Sequence, residues 1–111
     1  MSATIQTRPH SVVIDEYVDR RSNTLRGFAR VILPSGMILH DVGIFVDGGR
    51  AWATPSSKAM LDKDGVALRD GTKIKYSPVV TFTSKELRTK FSDAIIAALR
   101  IAHPDALADA L

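Results

Sequence analysis

Apolar and polar positions alternate with a period of two over much of residues 11–82, and with a period near 3.6 from residue 83 onward. The first spacing marks strands that turn one face inward, and the second marks a helix with one apolar stripe. Residues 1–10 carry neither pattern and read as a loose N-terminal arm. Residues 11–18, Ser-Val-Val-Ile-Asp-Glu-Tyr-Val, are rich in β-branched side chains and predict a first strand. Residues 19–23 then read as a polar connection.

The most strongly patterned stretch is residues 25–58, with three strand-like runs and two tight turns. In residues 25–33, Leu25, Gly27, Ala29, Val31 and Leu33 share one face, and Arg26, Phe28, Arg30 and Ile32 share the other. Two arginines beside an aromatic could meet a nucleic-acid backbone and stack on a base, or form a solvated outer face with Phe28 under a dimer partner. Leu33-Pro34-Ser35-Gly36 has the proline and glycine positions of a type I turn. In residues 37–46, Ile38, His40, Val42, Ile44 and Val46 fall on one face, with Met37, Leu39, Asp41, Gly43 and Phe45 opposite. Both faces are largely apolar, which predicts a central strand or one covered by a second subunit. Asp47-Gly48-Gly49 predicts a hairpin turn, because glycine supplies the positive φ that primed turns need. Residues 50–54 return antiparallel to the preceding strand.

After Pro55-Ser56-Ser57-Lys58, residues 59–72 read as a mobile connection with two turn points, Asp62-Lys63-Asp64-Gly65 and Arg69-Asp70-Gly71. The first is not a calcium loop, since Met60 and Gly71 stand where the first and last acidic ligands belong. Residues 73–82 form another strand candidate, which Pro78 confines to an edge or a bulge. Thr83 and Glu86 make a capping box, with Phe82 able to staple onto Leu87. Leu87, Phe91, Ile95, Ala98, Leu99 and Ala102 follow at helical spacing until Pro104 stops the helix. Residues 105–111 read as a short, frayed helical tail.

These elements define an α+β domain: a small antiparallel meander sheet of four or five strands with one main C-terminal helix. The domain spans residues 11–103, between the arm at 1–10 and a tail at 104–111. The helix would cover one sheet face, leaving Ile38, Val42, Ile44 and Val46 exposed, so a homodimer interface is expected there.

Composition narrows the function. A chain of 111 residues with 45% hydrophobic and 24% charged content is an ordinary single globular domain. The absence of cysteine excludes disulfides, thiolate zinc sites and a thiol nucleophile, and points to the cytoplasm. The N-terminal residues have no cationic start followed by an apolar run, and no apolar stretch approaches the roughly 20 residues of a membrane span. Net charge is +3, and residues 58–100 hold nine Lys and Arg against five Asp and Glu. That bias suits a polyanion.

His10, His40 and His103 lie in different elements, and neighbours on a regular strand point to opposite faces, so His40 and Asp41 should not form a dyad or chelate one metal. Both read as structural residues, His40 as a hydrogen-bonded one. Neither a nucleophile elbow nor a phosphate loop occurs, so no enzyme, metal or cofactor is expected. Lys85 and Arg88 fall in the first turns of the helix, where cations oppose the dipole. A bound anion there, or plain solvation with Glu86 compensating, would each account for them.

Met37-Ile38-Leu39-His40-Asp41-Val42 resembles the apolar-apolar-His-Asp-apolar strand of the SpoVG family, bacterial proteins named for sporulation and septation. Trp52-Ala53-Thr54-Pro55-Ser56-Ser57-Lys58 is similar to that family's aromatic-Val-Ala-Met-Pro-Ser-basic segment. Gly27-Phe28-Ala29-Arg30-Val31 is similar to the strand before it, and residues 79–96, with Arg88, Lys90, Asp93 and Ala94, resemble the closing strand and helix. The resemblance covers about residues 25–96 and implies a homodimeric regulator that binds DNA and RNA, with no enzyme activity or cofactor. It carries Lys58, Arg88 and Lys90 over as nucleic-acid contacts. The neighbouring Lys85, Arg69, Lys73 and Lys75 extend the same basic surface. The chain departs from the family at Ser57, where a basic residue is common, and in its longer connection over residues 59–76.

Overall fold

A computed structural model describes residues 11–110 of the chain, so the expected arm at 1–10 lies outside the described residues. Four strands, β1 (Val13–Ser22), β2 (Leu25–Ile32), β3 (Ile38–Asp47) and β4 (Arg50–Thr54), form one antiparallel sheet in chain order. One helix, α1 (Lys85–Ala102), packs on one face, followed by a 3-10 segment, Pro104–Ala110. This is the α+β meander expected of the alternation. Gly48 and Gly49 both adopt positive φ, 61° and 81°, as a two-residue primed turn between antiparallel strands requires.

The first hairpin is longer than its sequence implies. β1 runs on through residues 19–22, which had read as a connection, and turns at Asn23 with φ 55°. Asparagine tolerates that left-handed conformation better than other non-glycine residues, so the turn forms there. Near the turn, Arg20 and Arg21 together face Arg26, a local irregularity in the ladder.

Two further bulges flank a single residue, Arg30. On one side Asp15 is the extra residue of β1, between the pairs Ile14–Val31 and Glu16–Arg30. On the other side His40 and Asp41 of β3 lie between the pairs Val31–Leu39 and Ala29–Val42. Asp41 absorbs the extra residue with φ 54°. A bulge shifts the side-chain alternation by one position. Leu39 therefore faces the core on one side of it, and Val42, Ile44 and Val46 on the other.

That shift corrects the expected dimer face. Val42 and Ile44 are fully buried beneath α1, and Val46 packs against the same core. Of the four residues assigned to an interface, only Ile38 stays exposed, at 49%. His40 is exposed as well, not the buried structural histidine expected. The opposite-face argument for His40 and Asp41 also fails, because both sit in the bulge.

The core joins Val31, Val42 and Ile44 of the sheet to Ile95 and Leu99 of α1 and to Leu107 of the 3-10 segment. Leu107 is 1% exposed and Ala106 is buried beside it, so residues 104–110 belong to the domain and are not a frayed tail. Arg26 Nη1 also donates to the Ala106 carbonyl at 3.3 Å. The helix begins one residue later than the capping box implied: Ser84 is the cap, and its Oγ accepts from the Leu87 N–H at 3.2 Å. Phe82 packs on Phe91, ring centroids 5.0 Å apart, while Leu87 stays half exposed. Ile96 completes the buried stripe in place of Leu87 and Ala102.

Residues 57–78 fold into a ribbon. β5 (Ser57–Ala59) pairs with β8 (Tyr76–Pro78), and β6 (Arg69–Asp70) pairs with β7 (Lys73–Ile74). The stretch expected to be a loop is thus a hairpin, and the strand expected over 73–82 is split between two small pairings. Asp62 closes its outer turn, Oδ1 accepting from the N–H groups of Asp64 (2.8 Å) and Val66 (3.0 Å).

Leu107→Ala is expected to cost about 2–5 kcal/mol, as for other large-to-small core changes, measured by urea unfolding. A loss near zero would mean that the 3-10 segment does not close the core.

Tyr17 offers a pH test. Its hydroxyl donates to the Arg26 carbonyl at 3.1 Å, and burial, followed by the Asp19 carboxylate, raises the phenol above its ordinary 10.0. The folded state then holds the proton more tightly than the unfolded chain. The resulting stability is whole below pH 10.0 and is lost as pH climbs through the raised folded value. Tyr17→Phe should flatten the fall in unfolding free energy above that pH; an unchanged alkaline profile would refute the assignment.

Candidate functional site

The cations the sequence singles out do not converge on one surface. Lys85 and Arg88 are three residues apart on α1 and share one side of its first turns, exposed beside the outer edge of β4. Lys90 lies two residues beyond Arg88, about 200° further round the helix, and faces away. Lys58 sits on β5 between Ser57 and Ala59 and so points to the ribbon face opposite theirs. Lys73 and Lys75 are exposed along the ribbon. Arg69 is used locally: its Nη1 donates to the Thr72 carbonyl at 3.1 Å and closes the β6–β7 turn.

Core packing aligns the helix, and one hydrogen bond ties it to the sheet edge. Ser92 Oγ accepts from the Ala53 N–H at 2.8 Å, on the side of β4 that has no neighbouring strand. This bond caps the sheet edge and fixes α1 against β4. Lys85 and Arg88, two and one turns earlier, consequently stand over the end of β4.

Two cavities meet at that point. One, of about 490 Å³, follows β4 from Arg50 and Trp52 to Thr54 and Pro55, with α1 on its other side. The other, of about 610 Å³, lies between the foot of the ribbon and the start of α1, and Tyr76 and Phe82 are among its walls. Thr54, Pro55, Lys85 and Arg88 border both. The larger cavity has two cations and no carboxylate on its walls, whereas Asp93 borders the smaller one. Such an arrangement can hold an anion at the junction and flat or apolar groups on either side.

Three of these contributors, Arg50, Trp52 and Tyr76, are absent from the residues picked by sequence. Arg50 follows the Gly48-Gly49 turn and Trp52 sits two residues further along the same strand, which offered a local hint. Nothing local connects Tyr76 with Arg88. Their meeting depends on the ribbon folding back so that β8 returns to β5.

Arg26 and Arg30, considered as possible backbone contacts, are otherwise engaged. Arg30 Nε donates to Asp15 Oδ2 at 2.6 Å, and Nη1 lies 3.3 Å from Glu16 Oε1. Hydrogen bonding to Asp15 and the charge of that carboxylate raise the guanidinium above its ordinary value. Beyond this ion pair, the sheet face away from α1 carries several apolar residues. Phe28 is 38% and Val13 41% exposed, and Phe45 lies over Gly43 and stacks on Trp52 with centroids 5.7 Å apart.

Among the described residues no cluster of three metal-ligating side chains occurs, and no helix is long and apolar enough to cross a membrane. Comparison with family models, with curated proteins and with solved structures finds no match.

Proposed function

We propose that this chain is a small SpoVG-like regulatory protein of the bacterial cytoplasm that binds DNA or RNA mainly through phosphate contacts, without enzymatic activity or a cofactor. The observation that carries the reading is the pairing of Lys85 and Arg88 at the junction of two cavities whose walls include Arg50, Trp52 and Tyr76. Two cations beside one exposed aromatic ring, that of Tyr76, suit a nucleic-acid backbone and a stacked base. The sequence resemblance over residues 25–96 supports the same reading independently.

Binding should weaken steeply with salt, because each phosphate contact releases a counterion. Lys85→Ala with Arg88→Ala should lower affinity for every sequence alike and reduce the salt slope by about one per lost contact. Lys90→Ala, on the far side of α1, should change neither. A gel-shift titration at low salt, repeated at increasing salt, measures both quantities. If the double variant binds like the parent, the surface is wrong.

A protein-interaction or assembly module is the second reading, and the open sheet face favours it. Val13, Phe28 and Ile38 lie on the face without a helix, exposed between 38% and 49%. A homodimer formed through this face is compatible with either reading, since Lys85 and Arg88 border the core-side helix. Phe28→Asp should then convert a dimer to a monomer in light scattering while leaving the fold intact. A monomeric parent protein at micromolar concentration would remove the dimer.

A further inference from the structure

The larger cavity carries a more specific reading, which rests on the nucleic-acid function proposed above. We infer that it accepts one unstacked base of a single-stranded nucleic acid, held against Tyr76, with the adjoining phosphates on Lys85 and Arg88.

Shape comes first. At about 610 Å³ the cavity falls within the roughly 300–1,000 Å³ typical of small-molecule sites, large enough for a base and its sugar. A duplex could not use it, because its bases present edges in the grooves and keep their faces stacked. Only a strand with free bases, or one that pays to flip a base out, can fill it.

Chemistry agrees. Tyr76 is 59% exposed yet forms part of the wall, so its ring offers an accessible stacking surface rather than core packing. Thr54 and Ser57, both hydroxyl-bearing, line the same cavity. A hydroxyl both donates and accepts, so it suits base edges and sugar without choosing one base. The two cations stand at one rim only, shared with the cavity along β4. A chain of phosphates lying over Lys85 and Arg88 would put one base into the Tyr76 cavity and carry the strand on along β4 toward Arg50. A free small anion would use the rim and leave the aromatic wall unfilled.

The test compares labelled oligo(dT) and oligo(U) with a duplex of equal length, by fluorescence anisotropy at low salt on the full chain. Single strands should bind at least about tenfold more tightly than duplex, and the DNA and RNA arms identify which sugar is preferred. Tyr76→Ala and Tyr76→Leu should each weaken single-strand binding about tenfold, and Tyr76→Phe should retain it. Duplex binding should not respond to any of the three. The leucine variant keeps the apolar bulk, so an effect shared by alanine and leucine but not phenylalanine reports stacking and not folding. If duplex binds as well as single strand, or the Tyr76 variants bind as the parent does while Lys85→Ala with Arg88→Ala still weakens binding, the cavity is not a base site and the phosphate-binding function stands. If no oligonucleotide binds at low salt, the function itself fails and the inference fails with it.

Discussion

One layer of side chains supports the whole molecule: Val31, Val42 and Ile44 of the sheet against Ile95, Leu99 and Leu107. It covers a single face of four strands, and two consequences follow from its asymmetry. The opposite face keeps exposed apolar residues that α1 cannot reach. The helix, aligned by this layer and tied to β4 through Ser92 and Ala53, brings its first turns to a sheet edge and not to open solvent. The position of Lys85 and Arg88 is therefore a product of core packing, although neither residue belongs to the core.

The edges of the sheet are protected in different ways. β1 carries irregularities at Asp15 and at Arg20-Arg21, and charged side chains along its length, which oppose pairing with another strand. β4 has an outward N–H occupied by Ser92 Oγ. Association through strand addition is thus disfavoured at both edges, and the sheet face centred on Phe28 is left as the surface open to a partner. Arg30 sits within that face, held by Asp15 and Glu16 from the neighbouring strand. The exposure of this ion pair limits its contribution to stability, but it pairs a cation that would otherwise stand beside Phe28 and Ile32.

Local chemistry was legible in the sequence where it was sufficient. The turn at Gly48-Gly49, the meander of β2, β3 and β4, and a closing helix all follow from neighbours in the chain. The errors arise where distant residues decide. Strict alternation over 37–46 put Val42 and Ile44 on a dimer face, because no residue announces that His40 and Asp41 will share the space opposite Arg30. Leu107 follows a proline after the main helix, so its neighbours say tail; only packing against the sheet and α1 makes it core. Charge was legible as a total, not as a surface. The resemblance supplied Lys58, Arg88 and Lys90, and nearness in sequence added four more cations, but helix phase separates Lys90 from Arg88 and strand alternation separates Lys58 from Ser57.

The two cations that do converge are placed against local preference. Near the N-terminus of a helix, the exposed N–H groups favour negative side chains, and a cation there costs roughly 0.3–1 kcal/mol. Glu86 is the only acidic residue in the first turn. Natural sequences tend to break local rules where function requires it and to obey them elsewhere. The rest of α1 obeys: Ser84 caps its start and Arg100 lies in its last turn, where a cation is favourable. A phosphate between Lys85 and Arg88 would remove their conflict with the dipole and with each other, and it would sit where the two cavities join. The unfavourable placement and the shape of the surface are thus two separate physical grounds that support the proposed anionic ligand.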